Sequence, residues 1–200
     1  PTFDQVLTLA QPRSPGDPAV GINFGTPPVR APGAVALTYG MKFKLKYIGN
    51  KWPYDGVPDE GKYLGAASQS NPLAQYYPTL GAASEAITVT LASATKAAGQ
   101  PVLGDDVVQL VTTEAKVGAY DHLGAWRDHF VYWYKSGYAE ENWQLRLPSY
   151  RMPGAPIFVG DEVILLSSAY AYQRLVADTK QPKYLTTALG VWAYWRLVAA

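Results

Sequence analysis

The chain has 200 residues, of which only 16% are charged, and its 17 Lys and Arg balance 16 Asp and Glu to a formal net charge of +1. That length suits one domain, or one domain with an extension, and is enough to bury a core without covalent cross-links; the low charge, against about 25% in ordinary domains, leaves room for a large neutral interface. With no long basic run, nucleic-acid binding and attraction to an anionic membrane are not expected, and the absence of cysteine excludes disulfides, thiolate metal sites and cysteine nucleophiles.

The chain begins "PTFDQVLTLAQPRSPGDP", with no basic segment leading into an apolar one, so no signal peptide is visible. A cytoplasmic location is favoured on that ground, with secretion left open. No apolar run approaches the roughly 20 residues of a membrane-spanning helix, so membrane insertion is not expected. Residues 11–33 hold six prolines and four glycines. Proline fixes φ and donates no hydrogen bond, so regular structure is not expected there. Residues 1–37 are read as a Pro/Gly-rich N-terminal arm. Such an arm packs either on its own domain or on a neighbour, and homo-oligomerisation through it stays open.

From Tyr39 onward the pattern changes. In "MKFKLKYI" (41–48), Lys42, Lys44 and Lys46 alternate with Phe43, Leu45 and Tyr47, the period-two mark of a strand with one buried face. Strand-like runs recur at "EAITVTL" (85–91), "DVVQLVT" (106–112), "HFVYWYK" (129–135), "NWQLRL" (142–147), "EVILLS" (162–167) and "VWAYWRLV" (191–198), with Gly, Pro, Asn or Asp between them. "SATKAAGQ" (93–100) offers one turn of helix. The fold class is all-β.

One phrase repeats. A Gly opens a strand at "GMKFKLKY" (40), "GDDVVQLV" (104) and "GDEVILLS" (160). "YLGAAS", "HLGAWR" and "RLVADT" follow, aligning Leu64, Leu123 and Leu175. The units close at Val89-x-Leu91, Trp143-x-Leu145 and Trp195-x-Leu197. Constant strands separated by loops of varying length are what an internal repeat shows. In this alignment Gln109 takes the slot of Leu45 and Leu165, and Asp105 and Asp161 are turn residues capping the amides that follow them. The pattern resembles the β-trefoil superfamily, in its MIR-like, fascin-like and ricin-B-like forms, over residues 38–200. The resemblance implies three four-stranded repeats, at about 38–93, 102–147 and 158–199. Such repeats bury jointly the apolar faces that none can bury alone.

Motifs for catalysis are missing. There are two histidines, His122 and His129, and no G-x-S-x-G elbow, phosphate-binding glycine loop or H-E-x-x-H. The cluster Asp121, His122, Asp128 and His129 lacks a zinc spacing, and Asp55, Asp59 and Glu60 lack the spacing of a calcium loop, so neither metal nor cofactor is expected. The remaining signal is aromatic: six Trp and 15 Tyr, in clusters. Alternation in "FVYWYK" puts Phe130, Tyr132 and Tyr134 on one face and Val131 and Trp133 on the other. Rings with polar handles suit sugar faces and protein interfaces alike.

A non-catalytic module binding a glycan is therefore expected, with a structural or scaffolding subunit as the alternative. Many trefoils are lectins, although the Q-x-W motif of the ricin-like ones is absent here. The candidate ligand residues are Asp121, His122, Trp126 and Tyr134 in the second unit, with Asp178, Tyr184 and Trp192 as their counterpart in the third. The carboxylates would accept hydroxyl hydrogen bonds while a ring covers the apolar sugar face.

Overall fold

The computed structural model describes residues 30, 32–50, 61–70, 76–126, 130–147, 154–170, 173–178, 180, 184–190 and 193–200. Most of the Pro-rich arm, the acidic loop at 51–60, Asp128, His129 and Trp192 lie outside the described residues. Among the described residues there are twelve strands: β1 (Phe43–Asn50), β2 (Tyr63–Ser70), β3 (Tyr76–Gly81), β4 (Val89–Ala92), β5 (Val107–Thr112), β6 (His122–Ala125), β7 (Val131–Tyr134), β8 (Asn142–Arg146), β9 (Glu162–Ser167), β10 (Arg174–Ala177), β11 (Leu185–Ala188) and β12 (Ala193–Ala199). Short 3₁₀ turns interrupt them, and the all-β expectation is met. Residues 93–100 form bends and turns instead of helix. The run at 85–91 becomes a strand only from Val89, because Ala83–Glu85 is a 3₁₀ turn.

The pairings close on themselves. A circuit of nine strands runs β1–β2–β3–β7–β6–β5–β8–β9–β12 and returns to β1. Strand β4 pairs with both β1 and β5 and shortens the circuit to a six-stranded ring, β1–β4–β5–β8–β9–β12. A closed ring leaves no edge strand to template aggregation. The strands left over form three hairpins, β2–β3, β6–β7 and β10–β11, which lie together over the ring.

Three antiparallel leucine pairs face one another inside the ring: Leu45↔Leu197, Leu91↔Leu110 and Leu145↔Leu165. All six are buried. Each contributes roughly 1.5–3 kcal/mol relative to exposure. Alternation in β1 holds as expected, with Phe43, Leu45 and Tyr47 buried between lysines.

Two details of the repeat alignment are corrected here. Leu110, not Gln109, occupies the slot of Leu45 and Leu165. The cause is at the turn. Gly40 and Gly160 hold positive φ (79° and 97°), and the residue doing so in the second copy is Asp105, at 67°. The second copy is thus shifted by one residue from the Gly-Asp text. Nor do the aspartates cap the amides after them. Asp161 accepts the Phe158 N–H at 2.9 Å and Asp106 accepts the Leu103 N–H at 2.8 Å, three residues back in each case. Asp105 instead pairs with Arg146 Nε at 2.9 Å.

Candidate recognition face

Strand β7 organises the outer surface of the hairpins. Its alternation buries Val131 and Trp133, and turns Tyr132, Tyr134 and the adjoining Phe130 outward. Trp133 is pinned from beneath, its indole N–H donating to the Gly65 carbonyl at 3.4 Å. The hairpins touch at Tyr76↔Trp133, Thr79↔Tyr184 and Phe130↔Thr186. The outward row of β7 therefore runs between two groups of rings.

The first group stands over the second hairpin. Trp126 lies 5.2 Å from Tyr134 and 5.3 Å from Tyr138, both edge-on, and Tyr134 lies 5.4 Å from Tyr138. Tyr120 joins at 5.7 Å from Tyr134, and Tyr76 at 5.7 Å from Tyr120. Inclined rings at these separations are the favoured aromatic arrangement. Trp126 is folded down over β6: a Cβ on Gly124 would fall 2.9 Å from its indole nitrogen. That nitrogen is buried, with no hydrogen-bond partner among the described residues. Trp126 thus packs the hairpin and is no open platform, while Tyr138 presents the open ring, 43% exposed.

Polar groups border this cluster. Asp121 and His122 Nδ1 share a hydrogen bond of 2.6 Å, with the Asp121 side chain 35% and the His122 side chain 13% exposed. His122 sits in register opposite Tyr134. Below them Glu141 is fully buried. Its Oε2 accepts the N–H groups of Gly137 and Tyr138 at 3.1 and 3.2 Å, so it holds the residue carrying the open ring, and its Oε1 has no partner among the described residues. Burial pushes the Glu141 carboxyl upward. The two backbone donors and then His122 oppose this, and Asp121 adds to it.

The second group surrounds a cavity of about 380 Å³ where the hairpins meet, lined by Tyr77, Phe130, Val131, Asp178, Tyr184 and Leu185. Tyr77 lies 5.1 Å from Tyr132 and 5.7 Å from Tyr184, the latter pair inclined at 64°. Phe130 stacks on Tyr132 at 5.9 Å and is 53% exposed. Burial, then the neighbouring Tyr77, raises the Tyr132 phenol to about 12. The Asp178 N–H donates to the Tyr184 carbonyl at 3.0 Å, and Asp178 Oδ1 accepts the Lys180 N–H at 2.8 Å.

The residues named from the sequence thus fall into two places. Asp121, His122, Trp126 and Tyr134 gather at the second hairpin; Asp178 and Tyr184 meet at the cavity; Trp192 lies outside the described residues. The two sets are not counterparts. Asp178 follows β10 as Trp126 follows β6, each N–H bonding back across its own hairpin, to Tyr184 and to Phe130. Sequence reasoning missed Tyr77, Tyr120, Tyr138, Gly124 and Glu141. A legible clue existed for Glu141: an acid closing a short turn after Gly137, where free amides need an acceptor. Among the described residues no group of three or more His, Asp or Glu is placed to hold a metal ion, and no helix is long and apolar enough to cross a membrane.

No protein-family model matches the chain. No curated protein matches it either. Solved structures do share its fold. A lysenin pore superposes with a TM-score of 0.60 at 13% identity, over 83% of this chain and 48% of lysenin. Lysenin complexed with phosphocholine gives 0.61 at 12%, over 83% and 47%. The SDF2-like protein from Arabidopsis thaliana gives 0.55 at 13%, over 82% of this chain and 95% of that one. The chain spans about half the length of the lysenin chains, and at these identities the likeness is one of fold: an all-β architecture shared with lysenin and an SDF2-like protein.

Proposed function

We propose that the chain is a β-trefoil and a non-catalytic recognition module whose ligand is a carbohydrate, bound on the aromatic face of the second hairpin. Three first-to-fourth strand pairings in the ring, with a hairpin between each pair, support the trefoil reading. One observation carries the functional reading: an open tyrosine ring, Tyr138, stands in a packed aromatic cluster bordered by the half-exposed Asp121 carboxylate. A sugar needs both, a flat apolar surface for its C–H face and a fixed acceptor for its hydroxyls. His122 holds Asp121 in place, and Glu141 holds Tyr138, so the site is organised before a ligand arrives. The likeness to lysenin holding phosphocholine favours small-ligand recognition on this fold over catalysis.

The scaffolding alternative draws less support. Arg30, near the end of the arm, is engaged by its own barrel, with its guanidinium on the Asp161 carboxylate and 4.4 Å from the Phe158 ring centroid. A glycan array probed with wild type, Tyr138→Ala and Asp121→Asn tests the carbohydrate reading. Discrete hits should disappear with Tyr138→Ala and fade with Asp121→Asn. A flat array for wild type removes the reading, and dye release from protein-free lipid vesicles would replace it with a membrane activity.

A further inference from the structure

We infer that the two groups of rings form one elongated site, and that its ligand is an extended, β-1,4-linked sugar chain lying along β7. The inference rests on the carbohydrate reading above and gives that ligand a length and a shape. The outward side of β7 and the residue before it supply the row: Phe130, Tyr132 and Tyr134 lie two residues apart on one face, above the buried Val131 and Trp133. The β6–β7 register runs without a shift from His122↔Tyr134 to Ala125↔Val131, so the strand beneath the rings is straight. At about 3.4 Å per residue, Phe130 and Tyr134 stand about 14 Å apart along it. Tyr138 joins at the Tyr134 end, 5.4 Å from that ring, and Phe130 stacks on Tyr132 at 5.9 Å. Tyr77 flanks Tyr132 from β3 at 5.1 Å, and the Trp126 indole fills the space above Gly124, the residue in register with Tyr132. The middle of the row is fixed by its neighbours, while the exposed rings, Tyr138 and Phe130, stand at its two ends.

One pyranose ring cannot reach from Tyr138 to Phe130, whereas a chain can. Each ring of the row offers an apolar face, and three of the four, Tyr132, Tyr134 and Tyr138, end in a hydroxyl. A ligand that combines C–H faces with hydroxyls is matched along the whole row, while an apolar surface laid there would bury those hydroxyls without partners. The row itself carries no charge, and Asp121 stands beside its Tyr134 end, so a neutral chain is favoured over an anionic one. The Asp121 carboxylate, held by His122 Nδ1 at 2.6 Å, fixes one end of the chain, and stacking holds the rest. The linkage follows from the strand. A straight row needs a straight chain: β-1,4 linkage keeps successive pyranoses in a flat ribbon with apolar faces, whereas α-1,4 linkage curls them into a helix that bends away from the row.

Isothermal titration of the full chain with the dimers and tetramers of cellulose, chitin and starch tests this. In the cellulose or the chitin series the tetramer should bind about tenfold more tightly than the dimer, the worth of one further stacked ring. In the starch series the two should bind alike. Phe130→Ala should bring the tetramer-to-dimer ratio close to one, because the far end of the row is gone, and Phe130→Tyr should keep it, since the ring carries the stacking. Equal binding of dimer and tetramer in both β-linked series, an equal gain in the starch series, or a ratio untouched by Phe130→Ala overturns the elongated site and leaves the carbohydrate reading standing. So does the absence of binding in both β-linked series when the glycan array shows discrete hits. A flat array removes both readings. Dimerisation of the chain that Phe130→Ala abolishes assigns the row to a second copy instead. If Phe130→Ala fails to fold, Phe130→Leu, which keeps an apolar side chain and removes the ring, decides.

Discussion

Trp143 closes the second unit as Trp195 closes the third. Each indole N–H crosses to the carbonyl of a leucine twenty residues earlier, Leu123 at 2.8 Å and Leu175 at 3.0 Å, and both rings are fully buried. Above this shared frame the two hairpins diverge. Strand β6 carries His122 and Gly124 and is followed by Trp126, whereas β10 carries the buried Arg174 and Val176 and is followed by Asp178. One hairpin carries a packed aromatic cluster with a buried acid beneath it, and the other forms a cavity wall. Burial and an obligatory backbone partner dictate the frame, while the outer positions are free to take different chemistry. The first unit supports this division. It has Val89 where the others have Trp, and the Leu64 carbonyl is met instead by the Ile87 N–H at 3.0 Å.

If the frame is shared, removing either tryptophan should cost the same. Trp143→Ala and Trp195→Ala should each lose roughly 3–5 kcal/mol of unfolding free energy, from the lost packing and the leucine carbonyl left without its partner. Urea denaturation measures both; a large asymmetry between them would break the equivalence.

A smaller effect tests where the hairpins differ. Gly124→Ala should destabilise by about 1–3 kcal/mol, because the new methyl meets the Trp126 indole. In a Trp126→Ala background most of that cost should vanish, as a double-mutant cycle would show. Val176 occupies the matching place in β10, next to Asp178 instead of an indole, so no such cycle should appear there.

The smallest effect depends on pH and belongs to the second hairpin. Burial raises the Glu141 carboxyl in the folded chain, so the fold prefers its protonated form. This contribution is complete below the ordinary glutamate range and is lost as pH climbs through the raised folded value. Glu141→Gln should flatten that decline in a series of unfolding midpoints above pH 4, relative to wild type.

Much of the architecture was legible from local pattern. Strand β9 spans the run read from the sequence, 162–167, and the faces of β1 and β7 follow from period-two alternation. The alignment of repeats slipped where two aspartates adjoin. "Gly104-Asp105" reads like "Gly160-Asp161", but the left-handed position falls on Asp105, and conformation rather than identity sets the register. Trp126 stands out in the sequence as a candidate, but not as a ring folded onto Gly124, because what covers a side chain depends on the strand beneath it. The cavity left no local trace. Tyr77, Phe130 and Tyr184 are more than fifty residues apart in the chain and belong to three different hairpins.

By itself the sequence determined that the chain is built of strands and which faces of β1 and β7 are buried, since alternation of apolar and polar residues acts over a few residues and needs no distant partner. The tertiary structure alone decided that six strands close into a ring, that three hairpins meet around an open cavity, and that Asp178 stands among its aromatic rings. Those features exist only between segments distant in sequence, and are formed when loop closure brings them together and burial compensates the entropy lost.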